Sequence, residues 1–141
     1  MIKEDYVSFE IAKLLKEKGF EQDYYYNNCP VYWINGNNPT LSFEGDDDFP
    51  YNQNECVAPS LATAMKWLRE VHKIEISISY GFPFIDGNPV FKYYWYPVKV
   101  TEKGLEYPMD DPNTAEFNEE MADSYEEAIK AALLYVLKNL I

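Results

Sequence analysis

Ile74-Glu75-Ile76-Ser77-Ile78-Ser79-Tyr80, then Gly81-Phe82-Pro83-Phe84-Ile85-Asp86-Gly87-Asn88, then Val90-Phe91-Lys92-Tyr93-Tyr94-Trp95-Tyr96-Pro97-Val98-Lys99-Val100 is the stretch that decides the fold. Its first part alternates apolar and polar residues with a period of two, the pattern of a half-buried strand. Asp86-Gly87 pairs two residues that tolerate left-handed backbone and so marks a turn. The chain returns as a second strand, and Pro97, which has no N–H for a ladder, requires a bulge or an edge near that end. The result is an antiparallel hairpin, which a run of parallel βαβ units would not contain.

Helices flank this hairpin. The first opens at Ser8, an N-cap residue, with Val7 placed to staple against Ala12. Ile11, Ala12, Leu14 and Leu15 form its apolar stripe, Lys13, Lys16 and Lys18 suit the negative end of its dipole, and Gly19 supplies a left-handed stop. The second begins near Pro59-Ser60 and presents Leu61, Ala64, Met65, Leu68 and Val71 as one face. The third has the best start signal: Ser124-Tyr125-Glu126-Glu127 is a capping box, followed by Ala128, Ile129, Ala132, Leu133, Val136 and Leu140.

Short strands are expected at Tyr24-Tyr25-Tyr26, Val31 to Ile34 and Leu41-Ser42-Phe43, separated by Asn27-Asn28 and Asn35-Gly36-Asn37-Asn38. The expected fold is α+β: an antiparallel sheet of about four to five strands packed with three helices, in the order α-β-β-(β)-α-β-β-α. All of residues 1–141 are read as a single acidic domain.

Composition narrows the function classes. The chain has 141 residues, 24 acids against 12 Lys plus Arg, a formal net charge of −12, 47% hydrophobic and 17% aromatic residues. That aromatic load is incompatible with intrinsic disorder. Contact with phosphate backbones needs a basic stripe, and none exists, so direct nucleic-acid binding is not expected. Anionic membrane surfaces are disfavoured on the same ground. The start, Met1-Ile2-Lys3-Glu4-Asp5, is not a signal peptide, and no apolar run approaches a membrane span, so the expected location is cytoplasmic. Charge is uneven. No Lys or Arg occurs between Gly19 and Met65, where Glu44, Asp46, Asp47, Asp48 and Glu55 lie, and a second base-free stretch runs from Gly104 to Ile129. Both read as solvated surface segments.

Catalytic patterns are missing. His72 is the one histidine, placed at a helix end where a protonated imidazole suits the dipole. No G-x-S-x-G elbow, dinucleotide fingerprint or phosphate loop occurs. Cys29 and Cys56 are too far apart for a redox motif or a zinc set and read as two reduced thiols. Asp46-Asp47-Asp48 fails the calcium-loop pattern, since the sixth position is Tyr51 and the twelfth Val57. No metal or cofactor is expected.

The feature that points toward function is aromatic. Phe91, Tyr93 and Trp95 face one side of their strand, and Lys92, Tyr94 and Tyr96 the other. Burial of one sheet face accounts for one set only. The second needs its own cover: helices on both sides, a partner or second copy, or a sugar stacked on the rings. Trp33, Tyr94, Trp95 and Tyr96 are the candidate binding residues, with Tyr24, Tyr25 and Tyr26 extending the surface if their strands are neighbours.

Three words carry a resemblance: Tyr6-Val7-Ser8-Phe9-Glu10-Ile11-Ala12-Lys13-Leu14-Leu15-Lys16-Glu17-Lys18-Gly19-Phe20, Ala58-Pro59-Ser60-Leu61-Ala62-Thr63-Ala64-Met65-Lys66-Trp67-Leu68-Arg69-Glu70 and Ser124-Tyr125-Glu126-Glu127-Ala128. They resemble an uncharacterised family of small acidic proteins encoded by phages, prophages and mobile elements of anaerobic gut bacteria. The resemblance implies a setting, an accessory protein in a bacterial cytoplasm, and carries no catalytic or ligand residue. The expectation is a non-enzymatic protein-binding or accessory protein that uses an aromatic sheet face and acidic loops to engage a protein partner or a second copy. The alternative is a small carboxylate-dependent hydrolase or a carbohydrate-binding protein.

Overall fold

Ser8 caps the first helix as its sequence predicts: its backbone is extended and its side chain accepts from the Ile11 N–H at 3.3 Å. The computed structural model describes residues 4–23, 28–108 and 121–141. Its contacts cluster into two units, Met1–Ala64 and Met65–Ile141.

In the first unit, α1 (Phe9–Glu17) buries Ile11, Ala12 and Leu15. Gly19, at φ 97°, ends it: the Gly19 N–H donates to Lys16 O and the Phe20 N–H to Leu15 O at 2.8 Å, two otherwise orphaned carbonyls. Strands β1 (Val31–Asn35) and β2 (Asn38–Ser42) form a hairpin with Val31 opposite Ser42 and Asn35 opposite Asn38. Gly36, at φ 69°, opens the two-residue loop in the left-handed backbone such hairpins favour. The short β3 (Cys56–Val57) pairs antiparallel with Val31 and Tyr32, so the sheet order is β2-β1-β3. The N-terminal arm is tied down where Val7 N–H donates to Pro59 O at 3.0 Å and Leu61 N–H to Asp5 O at 2.9 Å. Val7, Ile11, Leu15, Val31 and Val57 are fully buried in this unit.

The division between units falls within α2 (Leu61–Trp67), whose first turn is held by Ser60 Oγ accepting from the Thr63 N–H at 3.1 Å. A π-helical turn, Leu68–His72, follows, closed by the Lys73 N–H donating back five residues to Leu68 O. This wider turn shifts the stripe expected from the sequence. Leu68 stays buried, but Val71 is rotated into solvent.

The second unit is the hairpin and its cover. β4 (Ile74–Gly81) runs antiparallel to β7 (Lys92–Thr101), with Ile76 opposite Pro97, Ile78 opposite Trp95 and Tyr80 opposite Tyr93. Between them β5 (Phe84–Ile85) and β6 (Asn88–Pro89) pair at the tip around Asp86 (φ 52°) and Gly87 (φ 78°), the turn expected there. β8 (Gly104–Glu106) pairs with Lys99 to Thr101 on the other edge of β7. Farther along that edge, Tyr93 exchanges two 2.9 Å backbone hydrogen bonds with Ala122. Because the Tyr93 N–H points to this edge, so does the nitrogen of Pro97, four residues on. Pro97 falls between the Ala122 bridge and the first β8 pair, where it forfeits no ladder bond among the described residues.

Helix α3 (Tyr125–Asn139) starts where the capping box places it, Ser124 Oγ accepting from the Glu127 N–H at 3.1 Å. It packs on β4 and β7 and buries Ala128, Ile129, Ala132, Leu133, Val136 and Leu137.

The single sheet of four to five strands in the order α-β-β-(β)-α-β-β-α is overturned. Among the described residues, eight strands form three separate sheets, ordered β2-β1-β3, β4-β7-β8 and β5-β6, with three α-helices. Strand alternation says which side of a strand is apolar; it does not say which strand is its neighbour. The strand expected at Tyr24 to Tyr26 lies outside the described residues. No helix among the described residues is long and apolar enough to cross a membrane.

Candidate functional site

The hairpin's apolar face changes character along its length. Near its base, Ile74 and Ile76 are aliphatic and buried. Trp95 follows, 2% exposed and 5.7 Å ring to ring from Tyr135 of α3. Beyond the first turn of α3 the same face becomes a chain of rings. Tyr125 meets Tyr93 at 6.1 Å, and Tyr93 meets Phe91 edge to face at 5.0 Å. Phe91 then stacks on Tyr80 at 5.5 Å and takes Phe82 edge-on at 5.2 Å. The helix starts too late to cover them. Tyr80 is 69% exposed and Phe82 63%; Phe84 at the tip reaches 75%. The protein therefore carries an exposed aromatic cluster, large apolar area held in mutually supporting ring contacts with few rotors to freeze.

The cluster has an acidic rim. Asp86 at the turn and Asp123 and Glu127 at the start of α3 are exposed. Lys92 is the cation nearby in sequence, and it is engaged by the Asp123 carboxylate. From Ile76 to Ile85 the chain has no charged residue. An apolar centre within a charged margin is the anatomy of a protein contact.

The four residues singled out from sequence are placed differently. Trp95 is corrected from binding surface to core, because α3 lies across its face of the strand. Tyr94 and Tyr96, on the opposite face of β7, are half-buried, and the Tyr96 ring lies 6.4 Å from that of Tyr107. Trp33 belongs to the first unit, where β1 holds it half-buried and its Nε1–H donates to Ser42 Oγ at 2.8 Å. Tyr80, Phe82 and Phe84, the most exposed rings of the tip, were not among those four. Their signal is in the sequence, as rings at every second position leading into Asp86-Gly87.

Titratable groups are tuned by burial. His72 packs edge-on against Trp67 at 4.7 Å, and its buried Nε2 has no hydrogen-bond partner among the described residues. Burial lowers its pKa, which works against the protonated imidazole expected at a helix end. Both cysteine side chains are buried. Burial pushes the Cys56 thiol up to about 11 and raises that of Cys29, with Glu4 adding to the latter. Such thiols are poor nucleophiles. Among the described residues no group of three or more His, Cys, Asp or Glu side chains could hold a metal ion.

Comparison with protein-family models, with curated proteins and with solved structures finds no match to this chain.

Proposed function

We propose that this chain is a non-enzymatic protein-binding accessory protein of a phage or mobile element, acting in a bacterial cytoplasm through the aromatic tip of its hairpin. The observation that carries this reading is the ring chain Tyr125-Tyr93-Phe91-Tyr80/Phe82, which ends in solvent rather than beneath α3. Exposed rings in a contiguous patch are costly to leave in water and mark a contact site. The acidic margin and the net charge of −12 select a partner whose apolar anchor is bordered by Lys or Arg.

The test is affinity capture from the host, comparing the wild-type chain with the triple variant Phe82→Ser, Phe84→Ser, Phe91→Ser. A partner retained by the first and lost from the second, at equal thermal stability, supports the assignment. Identical captured sets reject it.

A further inference from the structure

We propose that the cleft beside Trp33, in the first unit, is a site for organic cations, taking the alkylammonium or guanidinium group of a small molecule or of a side chain against an aromatic wall and two unpaired carboxylates. The proposal rests on residues 33–53 alone and is independent of the hairpin tip.

The cleft has a volume of about 360 Å³ and is lined by Trp33, Asp47, Asp48, Phe49, Tyr51 and Asn52, among others. Its frame is local. β1 supplies Trp33, and a run of tight turns supplies the rest: Asp46 N–H donates to Phe43 O, Phe49 N–H to Asp46 O, Tyr51 N–H to Phe49 O and Gln53 N–H to Pro50 O. Asp46 belongs to this frame, its carboxylate accepting from the Phe43 N–H at 2.8 Å. The Glu55 N–H then returns the chain to β1 by donating to Tyr32 O at 2.7 Å.

Three features select the ligand class. The indole N–H of Trp33 is already spent on Ser42, so Trp33 brings the cleft a ring whose donor is taken. Tyr51, whose ring meets Phe49 edge-on at 4.7 Å and is 53% exposed, lines the same cleft with a second ring. Ring faces are negative and attract cations, most strongly at Trp. Asp47 and Asp48 are exposed, and neither makes an ion pair or hydrogen bond among the described residues. No Lys, Arg or His occurs between Gly19 and Met65 to neutralise them from within the segment. Adjacent carboxylates beside aromatic walls leave a site whose missing component is a positive charge with an apolar skin. A phosphate or carboxylate ligand would meet repulsion here, and a bare metal ion would find no further anionic ligand to complete a cage.

The experiment follows the indole N–H resonances of the full chain during titration with choline, with its neutral isostere 3,3-dimethylbutan-1-ol, with N-acetyl-lysine amide, with arginine amide and with sodium chloride. Trp33 is assigned through a Trp33→Phe variant. Choline or the amino-acid amides should shift the Trp33 signal saturably, and the neutral isostere should bind about tenfold more weakly or worse. The double variant Asp47→Asn, Asp48→Asn should weaken binding several-fold while its spectrum stays folded, and Tyr51→Ala should do the same without touching the Ser42 contact. Preference for choline assigns a free small cation, and preference for the amides a protein side chain; both sustain the site. Equal binding of the isostere, an equal shift by sodium chloride (an adventitious ion only), or wild-type affinity in the Asp double variant overturns it.

Discussion

Trp95 and Phe91 occupy alternate positions on one side of the same chain segment, yet Trp95 is 2% exposed and Phe91 41%. Tyr93 lies between them and touches rings on both sides of the boundary, Phe91 and Tyr125. Nothing in the local pattern of the strand separates the two residues. The difference is the reach of α3, which begins at Tyr125 and runs toward the base of the hairpin, so among the described residues no helix lies above the rings toward the tip. One hairpin thus supplies a core at its base and an exposed aromatic cluster at its tip. The same side-chain chemistry is sealed beneath a helix in one place and left in solvent in the other.

That contrast can be broken most forcefully at Trp95. Trp95→Ala should cost about 3–5 kcal/mol in urea unfolding, because the space under α3 cannot collapse fully, while Phe91→Ala should cost less than half as much. Equal losses would mean that α3 does not divide the rings as described. A smaller effect is expected at the start of the helix: Ser124→Ala removes the acceptor for the Glu127 N–H and should cost about 1 kcal/mol. Tyr80→Ser and Phe82→Ser should each change stability by about 0.5 kcal/mol or less, as exposed positions do, yet reduce partner capture.

Covered groups also give pH and reactivity signatures that uncovered ones lack. Folded His72 holds its proton less tightly than in the unfolded chain, so the folded state binds fewer protons. Stability should be full above the ordinary histidine range, near about 6.5, and decline as the pH falls through it. Urea midpoints at pH 7.5 and 5.5 check this, and His72→Phe, which keeps a ring against Trp67, should flatten the decline. Cys56, with its thiol pushed up to about 11, should resist iodoacetamide at pH 8 in the native chain and react once urea opens it. Prompt native labelling would place it nearer solvent than the structure does.

Much of the secondary structure is legible in the sequence. Ser8 and Ser124 cap where their patterns place them, Gly19 stops α1, and Asp86-Gly87 turns the hairpin, each because the governing interaction spans only a few residues. Pro97, expected to mark a bulge or an edge, lies instead in a central strand. Two local details escaped. The π turn at Leu68–His72 differs from an α-helix by one hydrogen-bond step and leaves little trace in composition, and β8 is three exposed residues with no alternation to show. Of the binding candidates, Tyr94 and Tyr96 were visible as rings, but their half-buried state was not, and Trp95 could not be told from its exposed neighbours. Strand period gives side, and side alone does not give cover.

The amino-acid order by itself determined the helix starts, the stop of α1 at Gly19, the hairpin turns, the alternation of β4, the acidity and the concentration of rings near Asp86-Gly87. All of these are set by contacts within a few residues or by simple counting. The tertiary structure alone decided that the strands divide into three sheets, that α3 lies over Trp95 and stops short of Tyr80, and that Trp33 shares a cleft with Asp47 and Asp48. Those outcomes depend on which distant segments meet, and residues far apart in the chain are brought together by the burial of shared apolar area, which has no sequence period of its own.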